Sequence, residues 1–308
     1  MKTLHDRLDD YLVLRRALGF KLERAGRLLP DFIAHLERHG APTVTTALAL
    51  AWAKQPPDGH PVWWAHRLSS VRAFAKHLQA LDARTEIPAA ELLPLRSRRA
   101  TPYLYSEGDI TRLMEAAQKL HHPLRARTYK TLIGLLAVTG MRVGEAIRLD
   151  RQDVVWSQRL LVVRNSKFGK SREVPLHDTT VEALRSYARS RDRHCSHPKS
   201  PSFLLSTTGK RLVYNTVHAT FLALVRSAGL EPRSAGCRPR PHDLRHTFAV
   251  STLLGWYRAG VDVQPRLPSL STYLGHVDPG STYWYLSAAP ELLALAAHRL
   301  ERALGELP

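Results

Sequence analysis

Apolar residues recur every three or four positions through the first part of the chain, with charged residues between them, and this spacing predicts helices. Leu4, Leu8, Tyr11 and Leu12 make one stripe, and Leu28, Leu29, Phe32, Ile33 and Leu36 make a second. After a turn at Pro56-Pro57-Asp58-Gly59, a third helix is expected to start near Pro61 and bury Trp64, Leu68, Val71, Phe74 and Leu78. Residues 1–83 therefore read as a small all-helical unit. Its last helix is expected to turn Arg67, Arg72 and Lys76 outward.

Residues 84–105 break the pattern with Pro88, Pro94 and Pro102 and a basic cluster, Arg96, Arg98 and Arg99, which reads as a linker able to lie along a polyanion. Ser106, with Asp109 three residues on, then caps a new helix. Residues 106–308 form the second expected unit. Helical spacing through Leu132, Ile133, Leu135 and Leu136 gives way to three short strand-like runs: Val154-Val155-Trp156, Leu160–Val163 and Glu173-Val174-Pro175-Leu176. The last two flank a hairpin turn at 165–171. Helices are expected again at 178–192, 214–227, 242–258, 268–274 and 279–286. A final amphipathic helix over 290–304 carries the stripe Leu292, Leu293, Leu295, Ala296 and Leu300. The fold class is mainly α with a small antiparallel sheet.

Charge narrows the function. The 308 residues hold 45 Lys and Arg against 27 Asp and Glu, a formal net charge of +18, which calls for a polyanionic partner. DNA, RNA and an anionic membrane surface all satisfy that requirement. The opening residues mix acids and bases, which excludes a signal-peptide core, and no uncharged apolar run is long enough to span a bilayer. Cys195 and Cys237 are far apart and form no CxxC pair, arguing against a disulfide framework or structural zinc. A soluble cytoplasmic protein at the nucleoid, without a membrane partner, is the expectation.

Several pieces carry chemistry. In Thr139-Gly140-Met141-Arg142-Val143-Gly144-Glu145, Gly140 supplies a turn that leaves Arg142 at a helix N-terminus, with Glu145 placed to brace it. An ordinary surface arginine has the same local signature. Pro241-His242-Asp243-Leu244-Arg245-His246 opens another helix and sends His242 and Arg245, at i and i+3, toward one place. A guanidinium forks onto phosphate oxygens and an imidazole moves a proton, so this pair suits a phosphoryl centre. Leu274-Gly275-His276 follows, then a helix with Tyr283, Trp284 and Tyr285. Lys167 and Lys170 lie in the hairpin turn.

In this order (Arg, turn Lys, His-x-x-Arg, Gly-His, then Tyr nine residues after that His) the motifs resemble the tyrosine recombinase family of phage integrases, Xer-type recombinases and transposon integrases. The resemblance spans the second unit and is looser over the first. It implies a helical core-binding domain followed by a tyrosine-recombinase catalytic domain. It implies Tyr285 as the nucleophile forming a 3′-phosphotyrosine, and Arg142 and Arg245 as the clamp on the non-bridging oxygens. His276 would add a hydrogen bond to the phosphate, Lys167 would protonate the leaving 5′-oxygen, and His242 would assist proton transfer. Lys170 and Arg172 then read as DNA-backbone contacts. The expected partner is a duplex recombination site bound by a homo-tetramer on synapsed DNA, with or without partner recombinases. No metal, ATP or other cofactor is expected. The segment between His242 and His276 is longer than the family pattern.

Two other chemistries share parts of this pattern. His242 and His246, at i and i+4, mimic a zinc-binding H-E-x-x-H helix, but Asp243 replaces the glutamate and no third ligand is evident. A type IB topoisomerase shares the phosphotyrosine step, but the small helical first unit favours a recombinase.

Overall fold

In the computed structural model, the three predicted stripes of the first unit meet in one core. The structure describes residues 2–55, 57–93, 101–164, 171–276, 278, 280–288, 291, 292, 294, 297 and 301. The chain divides into two units, residues 1–100 and 101–308. The first holds α1 (Leu4–Ala17), α2 (Glu23–Arg38), α3 (Thr46–Ala53) and α4 (Pro61–Gln79). Thr3 and Asp6 form a capping box at the start of α1, and Pro61 lies in the first turn of α4. Leu8, Phe32, Leu68 and Phe74 are buried in this core, and α3 adds Trp52.

Two of the three outward basic positions need correction. Arg67 is only 7% exposed: its Cζ lies over the Trp52 ring, 3.7 Å from the centroid, and Nη2 donates to the Trp52 carbonyl at 2.9 Å. Position 67 lies four residues before Val71 and seven before Phe74, on the buried stripe itself. Arg72 is half-buried and donates through Nε to the Pro88 carbonyl at 2.7 Å and through Nη2 to the Ala89 carbonyl at 2.6 Å. It pins the returning segment rather than reaching outward. Lys76 is exposed as expected. Ile87 and Leu93 pack on this core, so the proline-containing stretch begins as part of the first unit. Arg96, Arg98 and Arg99 lie outside the described residues.

The second unit takes in Tyr103 and Tyr105 as core residues before α5 (Glu107–Gln118), which starts at the Ser106–Asp109 capping box. The central helix α6 (Pro123–Thr139) is followed by α7 (Val143–Arg148). Strands β1 (Val154–Val155), β2 (Leu160–Val163) and β3 (Arg172–Pro175) form an antiparallel sheet in that order. Its register pairs Leu161 with Val174 and Val163 with Arg172. Leu161, Val163 and Val174 point into the core, as the two-residue period requires. Lys167 and Lys170, between β2 and β3, lie outside the described residues.

Helices α8 (Asp178–His194), α9 (Tyr214–Ser227), α10 (Asp243–Arg258), α11 (Leu267–Leu274) and α12 (Gly280–Ala288) complete the unit. A separate apolar cluster joins Ala249 and Leu253 of α10, Leu270 and Leu274 of α11 and Tyr285 of α12, with Leu292 beside them. Most of the helix expected over 290–304 lies outside the described residues, but Leu292 is buried on its own unit. Among the described residues, no helix is long and apolar enough to cross a membrane.

Candidate active site

The site is built around two left-handed glycines. Gly140 (φ 58°) ends α6, and a Cβ there would lie 2.5 Å from the Phe248 ring, so only glycine fits. The chain then turns into α7 with Arg142 at its N-cap. The backbone N–H of Arg142 donates to Glu145 Oε2 at 2.9 Å, and its Nη1 donates to Glu145 Oε1 at 2.8 Å. Gly275 (φ 69°) ends α11, and the next N–H, that of His276, donates back to the Ser271 carbonyl at 2.9 Å.

The last carbonyls of α11 lack helical partners and carry the negative end of the helix dipole. Three guanidinium groups satisfy them in succession. Arg172 Nε donates to Tyr273 O at 2.8 Å, Arg245 Nη2 to Leu274 O at 2.6 Å, and Arg142 Nη2 to Gly275 O at 3.1 Å. Arg245, 2% exposed, also reaches Gly140 O through Nη1 at 2.9 Å, tying both glycine turns together. The two arginines expected in the clamp therefore meet.

Arg172 is the third correction. Instead of facing a DNA backbone, its side chain is 10% exposed and forks onto Glu145, Nη2 to Oε2 at 2.8 Å and Nη1 to Oε1 at 3.2 Å. The strand period holds the explanation, because Arg172 lies two residues before buried Val174 and opposite buried Val163. Sequence reasoning also missed Thr282, whose buried Oγ1 is hydrogen-bonded to His276 Nδ1 at 2.7 Å. Its signal was weak: a threonine six residues after the histidine.

Tyr285 is 2% exposed and its ring stacks on His276, centroids 5.9 Å apart at 23°, with His246 on another side at 5.5 Å. Tyr283 points elsewhere and is 46% exposed. His242, one residue before α10, is exposed and meets the His246 ring at 4.8 Å. The structure thus gathers Arg142, Arg245, His242, His276 and Tyr285 in one place.

Electrostatics follow from this crowding. Burial, then the charges of Arg245 and Arg142, lowers the pKa of His276 to about 4, and the same two cations lower that of the more exposed His242, so both imidazoles are neutral at pH 7. Burial, then Arg142, lowers Arg245 to about 10, which leaves it a cation. Burial alone would raise Glu145, but hydrogen bonds and charge from Arg172, then Arg142, hold it at about 2. Three guanidiniums and one carboxylate leave the cluster with two uncompensated positive charges, a receptor for an anion such as a phosphodiester.

A buried and a half-buried arginine, two neutral imidazoles and a phenol on one frame suit phosphoryl transfer. The sequence model of the Phage integrase family matches residues 104–291, and the chain belongs to that family. It is a tyrosine recombinase, an enzyme that transfers DNA strands. It is 47% identical over 308 residues to y4rB of Sinorhizobium fredii (strain NGR234), named for the integrase/recombinase class, covering 98% of each chain. It is 30% identical to the tyrosine recombinase XerD of Rhizobium meliloti (strain 1021), over 74% of this chain and 71% of that one. The fold matches a Tn1549 transposon integrase in complex with circular-intermediate DNA, with a TM-score of 0.67 at 18% identity, covering 98% of this chain and 100% of that chain. A lambda integrase tetramer bound to a Holliday junction matches with a TM-score of 0.62 at 20% identity, over 92% of this chain and 77% of that one.

Proposed function

We propose that Tyr285 attacks a scissile DNA phosphate, forming a 3′-phosphotyrosine and releasing a 5′-hydroxyl that a second strand later replaces. The observation that carries this reading is the packing of the Tyr285 ring against His276 beside the Arg142–Arg245 frame, while Tyr283 faces away. Arg142 and Arg245 hold the non-bridging oxygens and offset the charge that develops as the phosphorane forms. Neutral His276 adds a hydrogen bond to the same phosphate, and neutral His242 accepts the phenolic proton. Lys167 protonates the leaving 5′-oxygen. The phosphotyrosine preserves the energy of the phosphodiester, so the step needs neither ATP nor a metal ion.

The helical first unit is assigned to DNA binding, with Lys76 as a contact, and residues 84–105 to the connection between units. Strand exchange involves four strands, and the lambda integrase neighbour is a tetramer on a Holliday junction. A homo-tetramer on two sites, alone or with a partner recombinase, is the corresponding assembly here. Mapping covalent protein–DNA junctions across a genomic library gives the target site. A nicked duplex bearing that site, labelled at either end of the cut strand and incubated in excess chelator, then tests polarity. The reading expects protein joined to the 3′-phosphate side and a free 5′-hydroxyl; adducts on the 5′ side, or none with chelator, contradict it.

A further inference from the structure

Glu145 does two things to Arg142 that oppose each other. It fixes the guanidinium through Nη1 and the backbone N–H, but a lone carboxylate paired with Arg142 also cancels its charge. We propose that Arg172 is a positioning residue that resolves this conflict: its fork occupies both Glu145 oxygens, so Arg142 is held in place yet keeps net positive charge for the scissile phosphate. The inference rests on the reading of Arg142 as part of the phosphate clamp.

The geometry supports a division of labour between the two arginines. Arg172 takes one bond to each Glu145 oxygen and a third to Tyr273 O, so its side chain is fully engaged inside the protein and 10% exposed. Arg142 makes a single side-chain bond to Glu145, reaches Gly275 O, and keeps 27% of its side chain exposed. Arg142 is therefore the outward member of the pair. Without Arg172, Glu145 is free to take Arg142 in a bidentate pair, turning the fork inward. Gly275 belongs to the same device, because a Cβ there would stand 2.8 Å from Arg172 Nη1. A lysine at 172 retains the charge but cannot make the fork and the Tyr273 bond together.

The test is a double-mutant cycle read as single-turnover cleavage of a nicked duplex at saturating protein, using Arg172→Gln, Arg172→Lys, Arg142→Lys and the Arg142→Lys/Arg172→Gln double variant. Arg172→Gln is expected to slow cleavage by about ten- to a hundredfold, in the range seen when a supporting partner of a reactive group is lost, with the DNA Kd within about threefold of wild type. Arg172→Lys is expected to recover part of the rate, and the double variant to be no slower than Arg142→Lys alone. A wild-type rate in Arg172→Gln, or losses that multiply in the double variant, overturns the inference. If Arg172→Gln does not fold, the same cycle run with Arg172→Lys decides the question. A wild-type rate in Arg142→Lys sinks the clamp reading and this inference with it. A slow Arg142→Lys beside an unaffected Arg172→Gln sinks this inference alone.

Discussion

Two imidazoles beside a cluster of arginines stay neutral, and that has a measurable consequence for stability. An unfolded histidine titrates at about 6.5, whereas His276 is lowered to about 4 in the folded protein and exposed His242 is lowered in the same direction. Between those values the unfolded chain binds protons that the native protein does not, so stability falls as pH drops from about 6.5 toward 4. Glu145, held at about 2, acts in the same direction at lower pH, its contribution being present above its unfolded value and lost as pH falls toward 2. The Tm is expected to decline on acidification through this window and to decline less in His276→Gln; a flat Tm from pH 6.5 to 4 contradicts the assignment. Arg67 supplies a second test. Arg67→Ala is expected to cost about 1–3 kcal/mol of first-unit stability through a lost buried hydrogen bond and ring contact, with little change in DNA affinity per folded molecule. Exposed Lys76→Ala is expected to do the reverse, changing stability by about 0.5 kcal/mol or less while reducing the salt slope of DNA binding by about one. The candidate site residues were legible as a group because their order and spacing carry the family resemblance, and five of them meet in the structure. The inward placement of Arg67 and Arg172 was not legible from their charge, but their period carries it: both lie in register with buried neighbours, on a helix stripe and a strand face respectively.

Helices with a polar face were legible as elements, and α8 to α12 lie close to the expected limits. α3 (Thr46–Ala53, TALALAWA) was not, because a segment so uniformly apolar has no face to read and is indistinguishable by period from a buried strand. The three-strand sheet was legible from alternation and turn residues, but its function as the carrier of Arg172 was not. The glycine ends of α6 and α11 matter most at this scale, since they bring Arg142 and His276 to one point. Gly140→Ala is expected to destabilise the protein by about 1–3 kcal/mol, because its Cβ would collide with Phe248 in a packed site and its φ of 58° disfavours a side chain. Gly275→Ala drives into the flexible Arg172 tip instead, so its cleavage rate is expected to fall further than its stability. Chemical denaturation and single-turnover cleavage of the two variants separate these outcomes; equal effects on both quantities in Gly275→Ala contradict the second.

For the molecule as a whole, a net charge of +18 points to a polyanion independently of any motif. If about six to ten phosphates are contacted, DNA affinity is expected to drop about a thousandfold or more between about 50 and 200 mM salt. A nearly flat salt dependence contradicts that footprint. Division into two units was legible from the proline-rich break, but its ends were not, because Leu93 and Tyr103 are apolar anchors of the two cores within a stretch dominated by proline and arginine. The central claim is that this chain joins DNA through Tyr285, and the adjacent tyrosine provides the control. Two residues apart on a helix, Tyr283 and Tyr285 point about 200° from one another and cannot serve one site. The most direct measurement is adduct trapping on a duplex nicked beside the scissile phosphate, resolved on a denaturing gel. Wild type and Tyr283→Phe are predicted to trap a covalent adduct, and Tyr285→Phe to bind the same DNA with unchanged affinity and trap none; an adduct that persists in Tyr285→Phe would contradict the account.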